Sequence, residues 1–342
     1  MKLDLHSAPP RIACHTAWHR LFIAAAIAVA ALSIGAIALA APAPAWTTLA
    51  PVPNGGAEGM FGGIVGNQVI AAYGDQSGFG DSNLTRIYNI ASDTWTMGSD
   101  APGDPRAEGT AVTNDGILYA LGGRSFTALP DLDAYNVATD MWTTLAPMNT
   151  ARAGLAAAVV DDSIYAIGGR VSGGGPCSGG PLDAVERYDI ATNSWTTVAS
   201  LPIPLSDAAA VASDDQIYVF GGCTGDDFPE TTVNTVYVYN VDTNTWSTAA
   251  PMPRARAGFY QVGEQGNSVY VMGGLDSFFD TAADPNVDIY NMALDTWTTS
   301  DVPMPQPRGE MVVASHGGRI YTVGGSLPAF GNTTDTNAVL KP

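Results

Sequence analysis

A motif centred on tryptophan recurs along nearly the whole chain and constrains its fold more than any other feature. Beyond the first 40 residues, which contain Trp18, tryptophan occurs at positions 46, 95, 142, 195, 246 and 297, at intervals of 47 to 53 residues. The last five of these follow a tyrosine by seven residues, and the Asn, Asp and Thr residues in between favour a tight hairpin that joins two strands. A period of about 50 residues therefore predicts an array of similar units, each built from short antiparallel strands.

Two further marks define the rest of each unit. A glycine pair ends the segments ILYALGG, SIYAIGG, QIYVFGG, SVYVMGG and RIYTVGG, and the equivalent segment VIAAYG holds Tyr73 where the first glycine stands elsewhere. A run of small residues precedes each of these segments and begins near positions 57, 107, 153, 206, 257 and 309. Each unit thus contains four predicted strands, and the chain contains six units.

Glycine pairs in phase with tryptophans resemble the Kelch repeat, and the resemblance covers residues 45–342. It implies an all-β fold, a six-bladed Kelch-type β-propeller in which each unit forms one blade. A single four-stranded sheet cannot bury either of its faces, whereas sheets stacked around an axis bury both. Closure of the ring also leaves no terminal sheet exposed.

The ring is expected to close with a strand from the N-terminal part of the chain. AWTTLAPVP, at 45–53, has the sequence of a unit's last strand but follows no unit, and the sixth unit lacks its tryptophan strand. We align the final segment NAVLKP with DAVERY at 183–188, which puts Pro342 at the tyrosine position. We therefore predict that the N-terminal strand pairs with the C-terminal blade.

The first 40 residues have the pattern of an export signal. Residues 1–20 carry three basic residues and one acid, residues 21–41 carry no charge, and Ala38-Leu39-Ala40 has the small-residue spacing that signal peptidase reads. We predict a signal peptide, or helix, over residues 1–40. The alternative is an uncleaved membrane anchor, because about 20 apolar residues can span a bilayer. The protein is accordingly expected to be secreted, periplasmic or otherwise extracellular.

The net charge of the chain limits the kinds of partner that it can bind. Without residues 1–40, the 14 basic residues lose three and the 33 acidic residues lose one, so that the net charge is about −21. Such a surface repels nucleic acid and anionic lipid. We expect no nucleic-acid partner, a monomer, and membrane contact only through an uncleaved N-terminal segment.

The residues that lead into the six inner strands are the candidate site. They read GAE (56–58), RAE (106–108), RAG (152–154), LSD (205–207), RAG (256–258) and RGE (308–310). Positions two apart share a face of a strand, so both charged positions are expected at the channel mouth. The ligand-binding candidates are Arg106, Arg152, Arg256, Arg308, Glu58, Glu108, Asp207 and Glu310. In the alternative interpretation, these arginines and acids only neutralise one another.

The sequence lacks most of the residues that the chemistry of enzymatic propellers needs. Copper oxidases of this fold hold the metal with histidines and tyrosines, but His316, in a turn, is the one histidine beyond residue 40. We expect no metal and no cofactor, and we assign no catalytic residue. The aspartate boxes of sialidases are absent from the sequence. The resemblance leaves one enzyme class, the sialic-acid mutarotases, which are six-bladed Kelch propellers that use arginine and acidic groups.

The loops after the glycine pairs differ most between units, and such loops usually carry ligand specificity in repeat proteins. Two of them, in the adjacent third and fourth units, contain Cys177 and Cys223, which are predicted to form a disulfide. The leading hypothesis is a binding module for protein or carbohydrate ligands that uses its rim loops and channel mouth. The alternative is a sugar-converting enzyme of the sialic-acid mutarotase or epimerase type.

Overall fold

Six four-stranded antiparallel sheets make up the part of the chain that the computed structural model describes, which is residues 43–76, 80–172, 177–225, 231–274, 283–327 and 332–342. The predicted signal peptide at 1–40 lies outside these residues and stays a prediction. The described residues contain one short 3₁₀ helix, Pro53–Gly55, and no α-helix. None of their helices is long and apolar enough to cross a membrane.

The strands follow the repeat units. β1 is Ala45–Thr48. Blade 1 contains β2 (Phe61–Val65), β3 (Gln68–Ala72), the short pair β4 (Asp75–Gln76) and β5 (Gly80–Asp81), then β6 (Thr85–Asn89) and β7 (Thr94–Met97). Blade 2 contains β8 (Thr110–Asn114), β9 (Ile117–Leu121), β10 (Leu132–Asn136) and β11 (Met141–Thr144). Blade 3 contains β12 (Ala156–Val160), β13 (Ser163–Ile167), β14 (Val185–Asp189) and β15 (Ser194–Thr197).

The second half of the ring repeats this order. Blade 4 contains β16 (Ala209–Ser213), β17 (Gln216–Phe220), the short pair β18 (Cys223–Thr224) and β19 (Thr231–Thr232), then β20 (Val236–Asn240) and β21 (Thr245–Ala249). Blade 5 contains β22 (Gly263–Gln265), β23 (Ser268–Met272), β24 (Val287–Asn291) and β25 (Thr296–Thr299). Blade 6 contains β26 (Val312–His316), β27 (Arg319–Val323) and β28 (Asn337–Lys341), and its fourth strand is β1.

The pairing of β1 with β28 confirms the predicted closure of the ring. The two strands are antiparallel, and Trp46 lies opposite Leu340. In the third blade Trp195 lies opposite Tyr188, so Leu340 occupies the tyrosine position of the sixth blade. The alignment that put Pro342 there was wrong by two residues, because a short segment without a tryptophan strand of its own offered no internal mark of register.

The core of the protein lies between the blades. Six clusters of buried apolar side chains each join two successive blades, and one of them joins blade 6 to blade 1. Each cluster combines apolar side chains from the sheet of one blade with those of the next. Burial of both faces of every sheet is the main source of stability for this arrangement.

The repeated tyrosine and tryptophan clamp one blade to the preceding one. In blade 3, the Tyr188 hydroxyl and the Ala146 N–H, which belongs to blade 2, both donate to the side-chain oxygen of Asn193, at 2.7 and 2.8 Å. The indole N–H of Trp195 donates to the carbonyl of the same Ala146 at 2.8 Å. The equivalent sets are Tyr88–Asp93–Trp95, Tyr135–Asp140–Trp142, Tyr239–Asn244–Trp246 and Tyr290–Asp295–Trp297.

The contact between blades 5 and 6 lacks this clamp. Leu340 replaces the tyrosine, and the indole nitrogen of Trp46 is buried without a hydrogen-bond partner. Apolar packing therefore joins blade 6 to blade 5, whereas the two ends of the chain meet inside blade 6, through the pairing of β1 with β28.

Candidate functional site

The segments that lead into the inner strands are joined in a closed ring of backbone hydrogen bonds. In each blade one N–H donates to the equivalent carbonyl of a neighbouring blade, over 2.7 to 3.0 Å. The six residues all have φ between 52° and 65°, and glycine alternates with an acid around the ring: Gly59, Glu108, Gly154, Asp207, Gly258 and Glu310. Three acids from alternate blades thus meet around the axis.

The ring also corrects the alignment of the first blade. Gly59, and not Glu58, occupies the position of Glu108, so the triplet that matches RAE is AEG at 57–59. Glu58 takes the place of Ala107, as its pairing with Asp75 shows. The triplet of the first unit lacks the arginine that marks the start of the triplet in four other units. Without that mark, the alignment of the first unit was wrong by one residue.

The four predicted arginines lie apart from the ring of acids. Arg106, Arg152, Arg256 and Arg308 are at most 1% exposed. The first three reach acids on the third strand of their own blade, and Arg308 reaches the second strand of its blade. The expectation that residues two apart share a strand face was wrong here, because a residue with positive φ stands at the third position and turns the chain.

Each of these arginines has polar partners within its own blade, and Arg106 also contacts blade 1. Arg106 binds Asp131 at 3.0 Å and Asp133 at 2.8 Å, and its guanidinium lies 4.2 Å from the ring centre of Tyr73, the residue that replaces a glycine. Arg152 binds Glu186, and Arg256 binds Asp284 and Asp288 at 2.7 and 2.6 Å. Arg308 donates to the Gly324 carbonyl and the Thr322 hydroxyl. A ligand-binding role for the eight candidates stays a prediction.

An arginine that the sequence analysis did not select occupies the centre of the acid ring. Arg170 is buried and binds the carboxylates of both Glu108 and Asp207. Asp207 also accepts hydrogen bonds from the Tyr260 hydroxyl at 3.1 Å and from the Cys177 N–H at 2.7 Å. Burial holds the pKa of Tyr260 well above its ordinary value, so its hydroxyl keeps the proton that it donates. These contacts join residues of blades 2, 3, 4 and 5 around the axis at this end of the ring.

Arg124 lies at the same end and is partly exposed. Its guanidinium binds Glu108 at 2.7 Å and approaches Asp81 and Asp75 at 3.4 and 3.6 Å. Burial, more than any charge nearby, raises the pKa of Asp81 to about 6. Arg124 and Arg170 each follow a glycine pair directly, so the recurrence of GGR in two successive units was the signal that could have identified them.

A second carboxyl pair, Glu58 and Glu310, completes the cluster. Glu310 is 5% exposed, and burial followed by the nearby charge of Glu58 raises its pKa well above the ordinary value. Burial likewise raises the pKa of Glu58, whose Oε2 atom is buried without a hydrogen-bond partner. Two carboxyls in one buried gap therefore favour a bound proton or a bound cation.

The predicted disulfide between Cys177 and Cys223 is confirmed, with the two Cα atoms 5.4 Å apart. It joins the loops of blades 3 and 4 beside Asp207. The sulfurs and the Asp207 carboxylate lie close enough together to bind a metal. Because the sulfurs are bonded to each other, they do not provide the thiolates that a metal would need.

A cavity of about 320 Å³ lies along the axis between the inner strands. Small residues form most of its wall, and none of the eight predicted site residues lines it. The side chain of Gln261 crosses it, donating to the carbonyls of Gly62 and Ala111 and accepting from the Val313 N–H. His316 is the last residue of β26 and is half-buried, not fully exposed.

The ring of six sheets and the acids at its axis define a propeller of repeated blades, and comparison with known proteins agrees. Residues 170–328 match the model of the KLHDC2/KLHL20/DRC7 Kelch-repeats domain, and residues 105–149 match the model of the Kelch motif. The chain belongs to the Kelch-repeat β-propeller family.

Individual relatives share the propeller but differ in length. The chain is 29% identical over 317 residues to the Kelch-like protein terF of Aspergillus terreus, covering 87% of this chain and 68% of that one. It is 30% identical to Kelch-like protein 25 of Xenopus tropicalis and 31% identical to Kelch-like protein 36 of Rattus norvegicus, covering 65% and 71% of this chain. It spans only 37% and 40% of those two proteins.

A solved structure supports the fold. The structure of YjhT superposes with a TM-score of 0.71 at 18% identity, over 85% of this chain and 96% of that one. At this identity the likeness concerns the architecture of the propeller.

Proposed function

We propose that this chain is an exported binding module that engages a protein partner through one end of the propeller. We call this end the loop face, and it consists of the described loops that follow the glycine pairs: 124–131, 170–172, 177–181, 223–225, 231–232, 283–286, 326–327 and 332–337. Membership of the Kelch family supports the proposal, because its propellers commonly serve as protein-interaction modules. Export rests on the predicted signal peptide, and the disulfide is consistent with an oxidising compartment.

The observation that carries the proposal is an exposed aromatic side chain on this face. Phe126 is 97% exposed in the loop of blade 2, and Val171, in the next loop around the ring, is 53% exposed. Single exposed apolar residues are common, but an aromatic residue among charged groups is the usual anchor of a protein interface. Arg124, two residues before Phe126, and the acids that Arg124 approaches, Asp75 and Asp81, would form the polar rim of such an interface.

The arrangement of charges favours protein binding over sugar conversion. An enzyme of the mutarotase type needs arginines and acids that are free to contact a small substrate. The four predicted arginines are instead buried and have polar partners within the protein, and Arg170 is paired with Glu108 and Asp207. A carbohydrate that binds this face would contact the loops and Arg124.

The proposal is tested with a photo-crosslinking amino acid placed in the protein in its native host. One variant carries it at position 126, and the matched control carries it at Leu294, which is 70% exposed on a hairpin at the opposite end of blade 5. We expect a discrete protein adduct at position 126 and none at position 294. The partner, identified by mass spectrometry and purified, should bind Phe126→Ser about thirtyfold more weakly than the wild type, as the loss of an interface anchor does.

Equal adducts at both positions, or none, would contradict the proposal, as would equal affinity of the purified partner for wild type and Phe126→Ser. Thermal stabilisation by acidic or neutral sugars, abolished by substitution of Arg124 and unaffected at Phe126, would instead favour the sugar-binding alternative.

A further inference from the structure

We infer that the gap between Glu58 and Glu310 binds a basic side chain, an arginine or a lysine, from a linear segment of the protein partner. The inference rests on the proposed function and specifies the chemistry of the partner. It starts from a difference among the three acids of the hydrogen-bonded ring.

Two of those acids form ion pairs inside the protein, whereas Glu310 forms none among the described residues, although the charges of Arg170 and Arg124 are near enough to lower its pKa. Glu108 binds both Arg124 and Arg170, and Asp207 binds Arg170. Glu310 is 95% buried, yet no group among the described residues donates a hydrogen bond to its carboxyl. A buried carboxyl without a donor is rare in folded proteins and calls for a bound proton or a ligand.

Glu58 provides a second unsatisfied acceptor in the same place. Its Oε2 atom is buried without a partner, and the hydroxyl of Ser326 is the group that hydrogen-bonds its carboxyl. The two segments are held side by side because the N–H of Gly59 donates to the carbonyl of Glu310 at 2.9 Å. The two carboxyls therefore lie close together at the junction of blades 6 and 1, near enough for the charge of Glu58 to raise the pKa of Glu310.

The other two acids of the ring, Glu108 and Asp207, bind guanidinium groups within the protein. In blades 2 and 3 the residue after the glycine pair is an arginine, Arg124 or Arg170, whose guanidinium contacts the acids. In blade 6 the equivalent residue is Ser326, which is short and neutral. Blade 6 therefore supplies no guanidinium from this position, and a cation from the partner would take the role that Arg124 and Arg170 have elsewhere in the ring.

The balance of charge points the same way. The cluster contains two guanidinium groups, those of Arg124 and Arg170, and a larger number of carboxyls. The carboxyls are Glu58, Asp75, Asp81, Glu108, Asp207 and Glu310. A cationic group that binds there would offset part of this excess and donate hydrogen bonds to the Glu310 carboxyl and to the unpartnered Oε2 atom of Glu58.

A basic side chain fits these observations better than a metal ion. Within the described residues, the one set of metal-ligating side chains whose ligand atoms converge is Cys177, Asp207 and Cys223, and its sulfurs form the disulfide. Phe126 lies two residues after Arg124 and offers an apolar contact on the same face. A partner segment that combines an apolar and a basic residue satisfies both features.

The experiment selects random 12-residue peptides, displayed on phage, against the full chain. Selections are made on the wild type, on Glu58→Gln with Glu310→Gln, and on a matched control, Asp104→Asn with Asp183→Asn, which removes two exposed acids at the same end. We expect wild type and control to enrich peptides with one fixed arginine or lysine. The best peptide should bind the Glu58→Gln, Glu310→Gln variant at least tenfold more weakly. That variant should melt no lower than the wild type, because it removes two buried carboxyls that repel each other.

Failure of this inference can be told from failure of the proposed function. Peptides that depend on Phe126 but bind the Glu58→Gln, Glu310→Gln variant as well as they bind the wild type would overturn the inference and leave the function standing. Peptides that depend on neither feature would contradict both. Enrichment of no peptide, or an equal loss of affinity in the Asp104→Asn, Asp183→Asn control, would also overturn the inference.

Discussion

The guanidinium of Arg170 binds the carboxylate of Asp207 at the centre of the ring, where neither side chain contacts solvent. The two residues come from adjacent blades, so the pair joins blade 3 to blade 4 at the axis. Glu108 of blade 2 binds the same guanidinium. One side chain from a loop thereby connects three blades.

Substitution of Arg170 should destabilise the protein strongly. Arg170→Met leaves Asp207 and one oxygen of Glu108 buried without their cation, and the loss of one partner from a buried pair costs about 3 kcal/mol or more. The control is Arg254→Met, which breaks a pair with Asp288 in which Arg254 is 37% exposed and should cost less than about 1 kcal/mol. Urea unfolding curves of both variants measure the difference, and similar midpoints would show that the central pair contributes little.

Stability should fall as pH rises from 5 to 8. Burial raises the pKa values of Glu58 and Glu310 above 4.5 and that of Asp81 to about 6 from 3.8. The folded protein therefore binds more protons than the unfolded chain in this range, and its advantage is lost as pH rises through the raised values. Melting temperatures of the wild type should decline across the range, and those of Glu58→Gln with Glu310→Gln should decline less. A flat wild-type profile, or equal slopes, would contradict this account.

Reduction of the disulfide should lower stability without changing the arrangement of blades. The bond between Cys177 and Cys223 closes a loop with a sequence separation of 46, and a loop of this length corresponds to about 4 kcal/mol of chain entropy in the unfolded state. Urea unfolding with and without reductant measures the effect, and Cys177→Ser with Cys223→Ser serves as the variant that reductant cannot affect. In a chain without residues 1–40, thiol titration of the unfolded, unreduced protein should find no free thiol. Two thiols would refute the bond.

The repeat pattern was enough to predict the fold, because every blade carries the same few marks. Tryptophan, tyrosine and the glycine pair each have one structural role. Gly122, for example, has a φ of 60°, and a Cβ atom there would collide with the carbonyl of Arg152 in the next blade. Even the missing strand could be located, since AWTT has the sequence of an outer strand and pairs as one.

The site was harder to predict because its geometry depends on single backbone conformations. The alternation rule for strands placed the Arg106 and Glu108 side chains on one face, but Glu108 has a φ of 56° and points into the ring. The central role of Arg170 depends on where its loop folds back, which the spacing of the repeat does not encode. The position of Arg170 after a glycine pair was visible in the sequence. Its contacts were not, because Arg170, Glu108 and Asp207 belong to three different blades.

The most direct test of the architecture is a disulfide between the two end strands. Ala45 lies opposite Lys341, and both are exposed. Directly opposed residues of an antiparallel pair have Cα atoms about 4.5–5.5 Å apart, within the range of a disulfide. Ala45→Cys with Lys341→Cys, in a chain that also carries Cys14→Ser, should therefore oxidise within one molecule.

The control pairs Ala45→Cys with Leu294→Cys, which lies on a hairpin of a different blade. Mass spectrometry of tryptic peptides under non-reducing conditions identifies the linkage. A ring closed by β1 and β28 predicts nearly complete intramolecular linkage of 45 to 341 and none of 45 to 294. Free thiols at 45 and 341, or equal linkage in the control, would contradict a six-bladed ring whose two ends share one sheet.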